Sequence, residues 1–203
     1  MALGDPYATL SDLKTYLSMQ EDDRFDASLQ QALESVSDEI EQHCNRQFNK
    51  VTVASTRIFE VDNHRQVVID DFWTITDLVI QYDQGNTGSY TVLSSTDFEL
   101  HPLNGVVSGQ PGWPYNKIVP AGTSSSFVPA RSGRLRVTAQ WGWASVPSPV
   151  KQACLIMAGA TFQIKDAPFG VAGSDQWGSI RVKDNAMAQN KLNRYVVDRI
   201  LVG

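Results

Sequence analysis

Residues Phe25–Cys44 read FDASLQQALESVSDEIEQHC, and Asn49–Val61 read NKVTVASTRIFEV. In the first stretch Phe25, Leu29, Leu33, Val36, Ile40 and Cys44 recur at the spacing of one helix face. Gln30, Glu34, Asp38 and Glu41 take the opposite face. In the second stretch the period falls to two, the spacing of a strand. Asn45, just past Cys44, tolerates the left-handed conformation that closes a helix. The period returns to helical after Pro147, so helices lie at both ends of the chain and strands in the middle.

Working outward, Thr9 and Asp12 form a capping box that starts a short helix with Leu10, Leu13 and Leu17 on one face. Gln20–Arg24 is a polar, acidic turn. Strand candidates are Val51–Val61, Val67–Ile69, Thr74–Tyr82, Tyr90–Leu93, Phe98–His101 and Leu135–Trp141. Turn signals separate them: Asp62-Asn63, Asp70-Asp71, Gln84-Gly85-Asn86, Asn104-Gly105 and Ser132-Gly133. Residues 108–130 are rich in Gly, Pro and Ser and read as a long loop. Ser148 then fits an N-cap and Pro149 a first helical position. Val150, Ala153, Cys154, Met157, Ala158, Thr161 and Phe162 make the buried stripe of a helix ending near Asp166. Ile180–Val182 reads as a short strand. Asp184 caps a last helix running to about Leu201, with Met187, Leu192, Tyr195, Val196 and Ile200 apolar. The fold class is α+β: a helical body of two N-terminal and two C-terminal helices with an inserted antiparallel β-rich domain. The divisions are 1–48, 49–142 and 143–203.

The chain has 203 residues, 42% hydrophobic and 19% charged, enough for a sizeable core. The longest apolar run, Ala153–Ala160, is too short to cross a membrane, and the N-terminus has no signal-peptide pattern. A net charge of −5 argues against a protein that grips duplex DNA. That charge is uneven. Residues 1–49 hold 3 basic against 10 acidic side chains, residues 50–149 hold 7 against 8, and residues 150–203 hold 7 against 4. An acidic head and a basic tail suit head-to-tail pairing or two separate partners, and equally suit solvated helix faces. Cys44 and Cys154 fall on apolar faces and read as small core residues.

Catalytic patterns are missing. There is no phosphate-binding glycine loop, no H-E-x-x-H, no C-x-x-C and no nucleophile elbow. Asp62 and His64 have the spacing of metal ligands on a strand but flank Asn63 in turn chemistry. Asp70-Asp71 reads as a turn rather than a cation site. His101, near Asp97 and Glu99, lacks a positioned nucleophile. The reading is of a non-enzyme without cofactor or metal. Trp141 and Trp143 are expected to wedge the join between β-block and third helix. Trp113 and Tyr115 in the long loop, and Trp177, are candidates for intersubunit or tail contact, against local packing.

The segment Tyr7–Leu17, YATLSDLKTYL, resembles the opening of tailed-phage head–tail connector (adaptor) proteins, in which a T-x-x-D-L-K-x-x-L helix leads through an acidic turn to a longer helix. Cys44-Asn45-Arg46-Gln47-Phe48 is similar to the C-[GN]-R-x-F-like close of that second helix. Arg136–Trp143 and Val146–Ala153 resemble the V-x-Y/W-G…V-P-x-x-[IV]-K-Q-A passage of the longer connectors. The resemblance implies a structural virion protein of the neck, assembled in the host cytoplasm. It implies a homo-oligomeric ring, a dodecamer, between a portal protein and a tail terminator or stopper, extending the channel through which double-stranded DNA passes. It also implies a portal-binding C-terminal end, here Lys191, Arg194, Tyr195, Arg199, Ile200 and Leu201. Acidic residues of the second helix, Glu34, Asp38, Glu39 and Glu41, would line the channel and repel phosphate. A second reading is a β-rich, sugar-binding module with helical flanks that uses Trp113 or Trp143. A third is a metal-dependent hydrolase using Asp62, His64 or Asp70.

Overall fold

The computed structural model describes residues 4–61, 65–122, 127–129, 133–165 and 185–197. The chain divides into two compact units. One comprises the described residues of Met1–Asn49 and Val146–Ile200, the other those of Lys50–Ser145.

The first unit is helical: α1 (Leu10–Tyr16), α2 (Asp26–Cys44), α3 (Ser148–Lys165) and α4 (Ala186–Leu192). The capping box forms as expected: Asp12 N–H donates to Thr9 Oγ1 (3.1 Å) and Thr9 N–H to Asp12 Oδ2 (3.0 Å). The α2 stripe is buried at Leu29, Leu33, Val36, Ile40 and Cys44, and Asn45 closes the helix in the left-handed region at φ 51°. Between α1 and α2, the buried Lys14 ammonium meets Asp23 (2.5 Å) and Asp26 (2.9 Å), and these carboxylates raise its pKa. α3 buries Val150, Ala153, Cys154, Met157, Ala158 and Phe162.

The last helix differs from expectation. Asn185 caps it, its side chain accepting from Ala188 N–H, and it stops at Leu192, followed by one 3-10 turn, Asn193–Tyr195. Met187, expected on the buried face, is 65% exposed. The physical reason lies in α2: Val197 N–H donates to the Cys44 carbonyl (3.0 Å), satisfying a helix-end acceptor, so the chain is extended by Val196. The expected strand Ile180–Val182 and the cap Asp184 lie outside the described residues.

The second unit is one sheet of β1 (Ser55–Glu60), β2 (Val67–Asp83), β3 (Thr91–Val92), β4 (Phe98–His101), β5 (Tyr115–Pro120) and β6 (Arg134–Trp141). The order is β1-β6-β2-β5-β4, with β3 beside β2. All pairs are antiparallel. The fold is therefore α+β.

Three expectations are corrected here. Asp70-Asp71 is not a turn: it lies inside β2, a single strand of 17 residues. Register shifts, and Asp77 at φ 60°, let this strand bend while pairing with β6 on one side and β5 and β3 on the other. Residues 108–130 are not one loop, because β5 pairs with both β2 and β4 and buries Ile118 completely. Pro120 ends β5 opposite Phe98, in a pair that requires no N–H from it. Trp141 belongs to the sheet's own core, fully buried among Val137, Ala139, Phe72 and Leu135.

Candidate functional site

With no catalytic constellation in the sequence, the candidate site is a set of surfaces. The acidic face of α2 comes first. Glu34 is exposed and accepts from Gln30 Nε2 (3.0 Å). Asp38, Glu39 and Glu41 are half-buried. Glu34, Asp38 and Glu41 fall on one line, whereas Glu39 lies about 100° further round the helix from Asp38. Glu41 is committed inward: it accepts the Tyr7 hydroxyl at 2.5 Å, and burial holds its carboxyl above the usual range. The same hydroxyl accepts Phe48 N–H (3.1 Å), and Tyr7 N–H donates to Ser37 Oγ (3.1 Å). Burial and Glu41 together push the Tyr7 phenol far above its ordinary value. Nothing in the periodicity singled out Tyr7, because its partners are 30 to 41 residues away.

Much of the charge asymmetry is neutralised within one chain. Lys151, from the basic end, pairs with Asp12 of the acidic end at 2.8 Å and, with Thr9, holds that carboxyl at about 2. Arg24 pairs with Asp22 at 2.7 Å. Among the expected portal contacts, Lys191 donates to Gln152 Oε1 (2.8 Å) and Arg194 is exposed with its guanidinium 5.5 Å from the Tyr195 ring. Tyr195 is buried instead, its ring edge-on to Phe48 at 5.8 Å. Arg199, Ile200 and Leu201 lie outside the described residues, as does Trp177.

The expected contact aromatics pack locally. Tyr115 is half-buried on β5 against Phe72, centroids 5.3 Å apart. Trp113 is half-buried against Trp143 at 5.1 Å. Trp143 is 3% exposed and donates its indole N–H to Asp71 Oδ2 (3.0 Å), so it offers no open ring face to a sugar or base. Asp70 pairs with Arg57 (2.7 Å), whose guanidinium lies 4.5 Å from the Trp141 centroid. Trp141 donates to the Ser55 carbonyl (2.9 Å). Two adjacent acids are thus used by two different non-local partners.

The turn between β4 and β5 is built rather than loose. Val107 and Gln110 exchange backbone hydrogen bonds at 3.0 Å around Ser108 and Gly109, both at positive φ. Trp113 N–H donates to the Gly105 carbonyl (3.0 Å), where a Cβ on Gly105 would stand 2.8 Å from the Trp113 carbonyl oxygen. Leu103 and Val106 project from this frame at 55% and 40% exposure. From Pro102 to Trp113 the sequence contains no charged side chain, the signal that marks this segment.

His101 Nε2 is 3.7 Å from Glu99 Oε2. Among the described residues no group of three or more His, Cys, Asp or Glu is placed to hold a metal ion, and no helix is long and apolar enough to cross a membrane. Asp62 and His64 lie outside the described residues.

No protein-family model matches the chain, and no curated protein does. Solved structures similar in fold include two from gene transfer agent particles. One is from the neck of an empty gene transfer agent particle, computed with C6 symmetry: TM-score 0.56, 16% identity, covering 97% of this chain and 93% of that one. The other is from the virion of a native gene transfer agent particle: TM-score 0.55, 14% identity, with the same coverage. At these identities the likeness establishes the fold, over the helical and β-rich units alike.

Proposed function

We propose that the chain is a structural, non-enzymatic protein of the neck of a phage-like particle: a head–tail adaptor whose copies form a ring between portal and tail or stopper and extend the DNA channel. The observation that carries this is the fold likeness to a chain of a gene transfer agent neck over 97% of the length. The connector-like segments Tyr7–Leu17, Cys44–Phe48 and Val146–Ala153 support it independently. In this reading Glu34 and Asp38 on α2 face the channel. Lys191 and Arg194, with the residues that follow them, face the portal. The ring is dodecameric where the portal is. Carboxylates at a channel wall repel phosphate and leave passing DNA free to slide.

The test is cryo-electron microscopy of the chain mixed with the portal protein of the same particle. The expected result is a ring seated on the portal. A chain that stays unattached overturns the proposal. The pair of substitutions Lys191→Glu and Arg194→Glu, which leaves the buried Leu192 and Tyr195 in place, is expected to abolish attachment while the chain stays folded, and attachment that survives removes the portal role from these residues.

A further inference from the structure

Among the described residues the sheet is open at both ends. Every neighbouring pair along β1-β6-β2-β5-β4 is antiparallel, so four reversals leave β1 and β4 running in the same direction. Among the described residues neither edge strand has a second partner strand. The registers settle which backbone groups face outward. Val61 N–H donates to the Gly133 carbonyl (3.1 Å), in line with the β1–β6 pairing. Phe59, Arg57 and Ser55 therefore bond inward, and Thr56, Ile58 and Glu60 point N–H and C=O away from the sheet. At the other end Ala121 N–H donates to the Asp97 carbonyl (2.9 Å), in line with β4–β5. Glu99 and His101 bond inward there, while Phe98 and Leu100 point outward.

The side chains at the two edges have opposite parity. Phe59 packs against the sheet's core, which puts Thr56, Ile58 and Glu60 on the solvent face. Phe98 and Leu100 themselves pack against the core, which puts Glu99 and His101 on the solvent face. A small rotation from one copy to the next keeps strand direction and keeps the core faces on one side, so β1 would meet the next β4 in parallel. In a parallel pair, a residue that bonds across the junction sits beside one that does not, and adjacent residues share a face. Ile58 meets that condition beside Glu99, its N–H and C=O reaching the backbone at Phe98 and Leu100. Equal parity at the two edges would have forbidden it.

β1 also carries little of the protection common at an open edge. It contains no Pro, Gly or Lys and Ile58 is 55% exposed; of its two charges, Arg57 is neutralised by Asp70 and Glu60 is the one that stands at the outward edge. We infer that β1 and β4 are mating edges through which a second copy of this chain extends the sheet head to tail, a heterologous contact that rotation closes into a ring. The inference rests on the ring reading above and names its contact.

Ile58→Pro and Glu60→Pro each remove one outward N–H without removing a bond to β6, the placement in which edge strands accept proline. Ile58→Thr keeps the amide. The full-length chains are compared by analytical ultracentrifugation over their soluble concentration range, with circular dichroism to confirm folding; if one proline variant fails to fold, the other provides the test. Wild type and Ile58→Thr are expected to self-associate, and the proline variants to remain folded monomers. Folded proline variants that associate like wild type overturn the inference, as does a wild type that never associates. The portal experiment reads separately. Rings on the portal that tolerate both prolines refute the edges and leave the neck role, whereas proline-sensitive association without portal attachment does the reverse.

Discussion

Replacing Tyr7 by Phe isolates one hydroxyl at the centre of the helical unit. The ring volume is retained, so the edge contact with Phe48 (centroids 5.5 Å apart) survives and no cavity opens. The substitution deletes two hydrogen bonds, to Glu41 (2.5 Å) and from Phe48 N–H (3.1 Å). Phe48 is fully buried, and leaving its amide unsatisfied costs about 1–3 kcal/mol. The bond to Glu41 is charge-assisted, but that carboxylate is half-exposed and recovers water on one side, so its loss adds about 1 kcal/mol. The sum is about 2–4 kcal/mol against the helical unit. Urea titration followed by circular dichroism reads it as a fall of about 1–2 M in the midpoint of the helical transition, at a typical slope. A midpoint within about 0.2 M of wild type would refute the account, because it would mean that water or a rearranged Glu41 replaces the phenol at no cost.

Four other substitutions or treatments bear on the same structure. Glu41→Gln removes a carboxyl whose pKa burial raises above its ordinary 4.5. A raised folded-state value means that stability is fullest with Glu41 protonated and is lost as pH rises through that value. The variant is expected to lack this loss above pH 4.5 while Gln still accepts from Tyr7, which urea midpoints across that window check. Asp71→Ala strands the buried Trp143 indole N–H and is expected to destabilise the sheet unit by about 1–3 kcal/mol, read by tryptophan fluorescence during unfolding. Gly105→Ala puts a Cβ 2.8 Å from the Trp113 carbonyl oxygen at φ 63°, and a loss of about 1–3 kcal/mol in thermal unfolding is expected. Burial raises the Cys44 thiol to about 12 and Cys154 to about 11, so iodoacetamide is expected to label neither in the native chain and both after unfolding, as mass spectrometry would show.

The elements legible in the sequence are those whose partners are near in the chain. The α2 stripe, the Thr9–Asp12 box, the Asn45 close and strand Phe98–His101 all follow from local spacing or local caps. The misread elements are governed from afar. Asp70-Asp71 passes for a turn until Arg57 and Trp143 supply partners on either side of a strand. β5 is masked by the prolines and glycines around it, and only its place between β2 and β4 makes Tyr115–Pro120 a strand. The last helix has the period to continue, but the Cys44 carbonyl takes the Val197 amide first. At the candidate site, exposed charges were visible as composition, whereas the inward use of Glu41 and Tyr195 depends on Tyr7 and Phe48.

The segments that resemble phage connectors prove to be fold-bearing. Thr9 and Asp12 cap α1, Lys14 ties the turn that follows it, Asn45 closes α2, and Phe48 sits between Tyr7 and Tyr195. Lys151, in the second quoted passage, reaches back to Asp12. Such residues carry information about how the chain is built, and they face inward or towards one another. A ring needs groups that remain for a neighbour after the fold has used its own. The acidic head and basic tail supply fewer of these than their charges suggest, because Asp12, Asp22, Asp23 and Asp26 already hold cations of the same chain. The outward backbone of β1 and β4 stays open among the described residues. It is also strand-directed, which charge is not. Assembly through such edges would respond to single proline substitutions and little to salt, whereas assembly through the charged helices would weaken steeply as ionic strength rises.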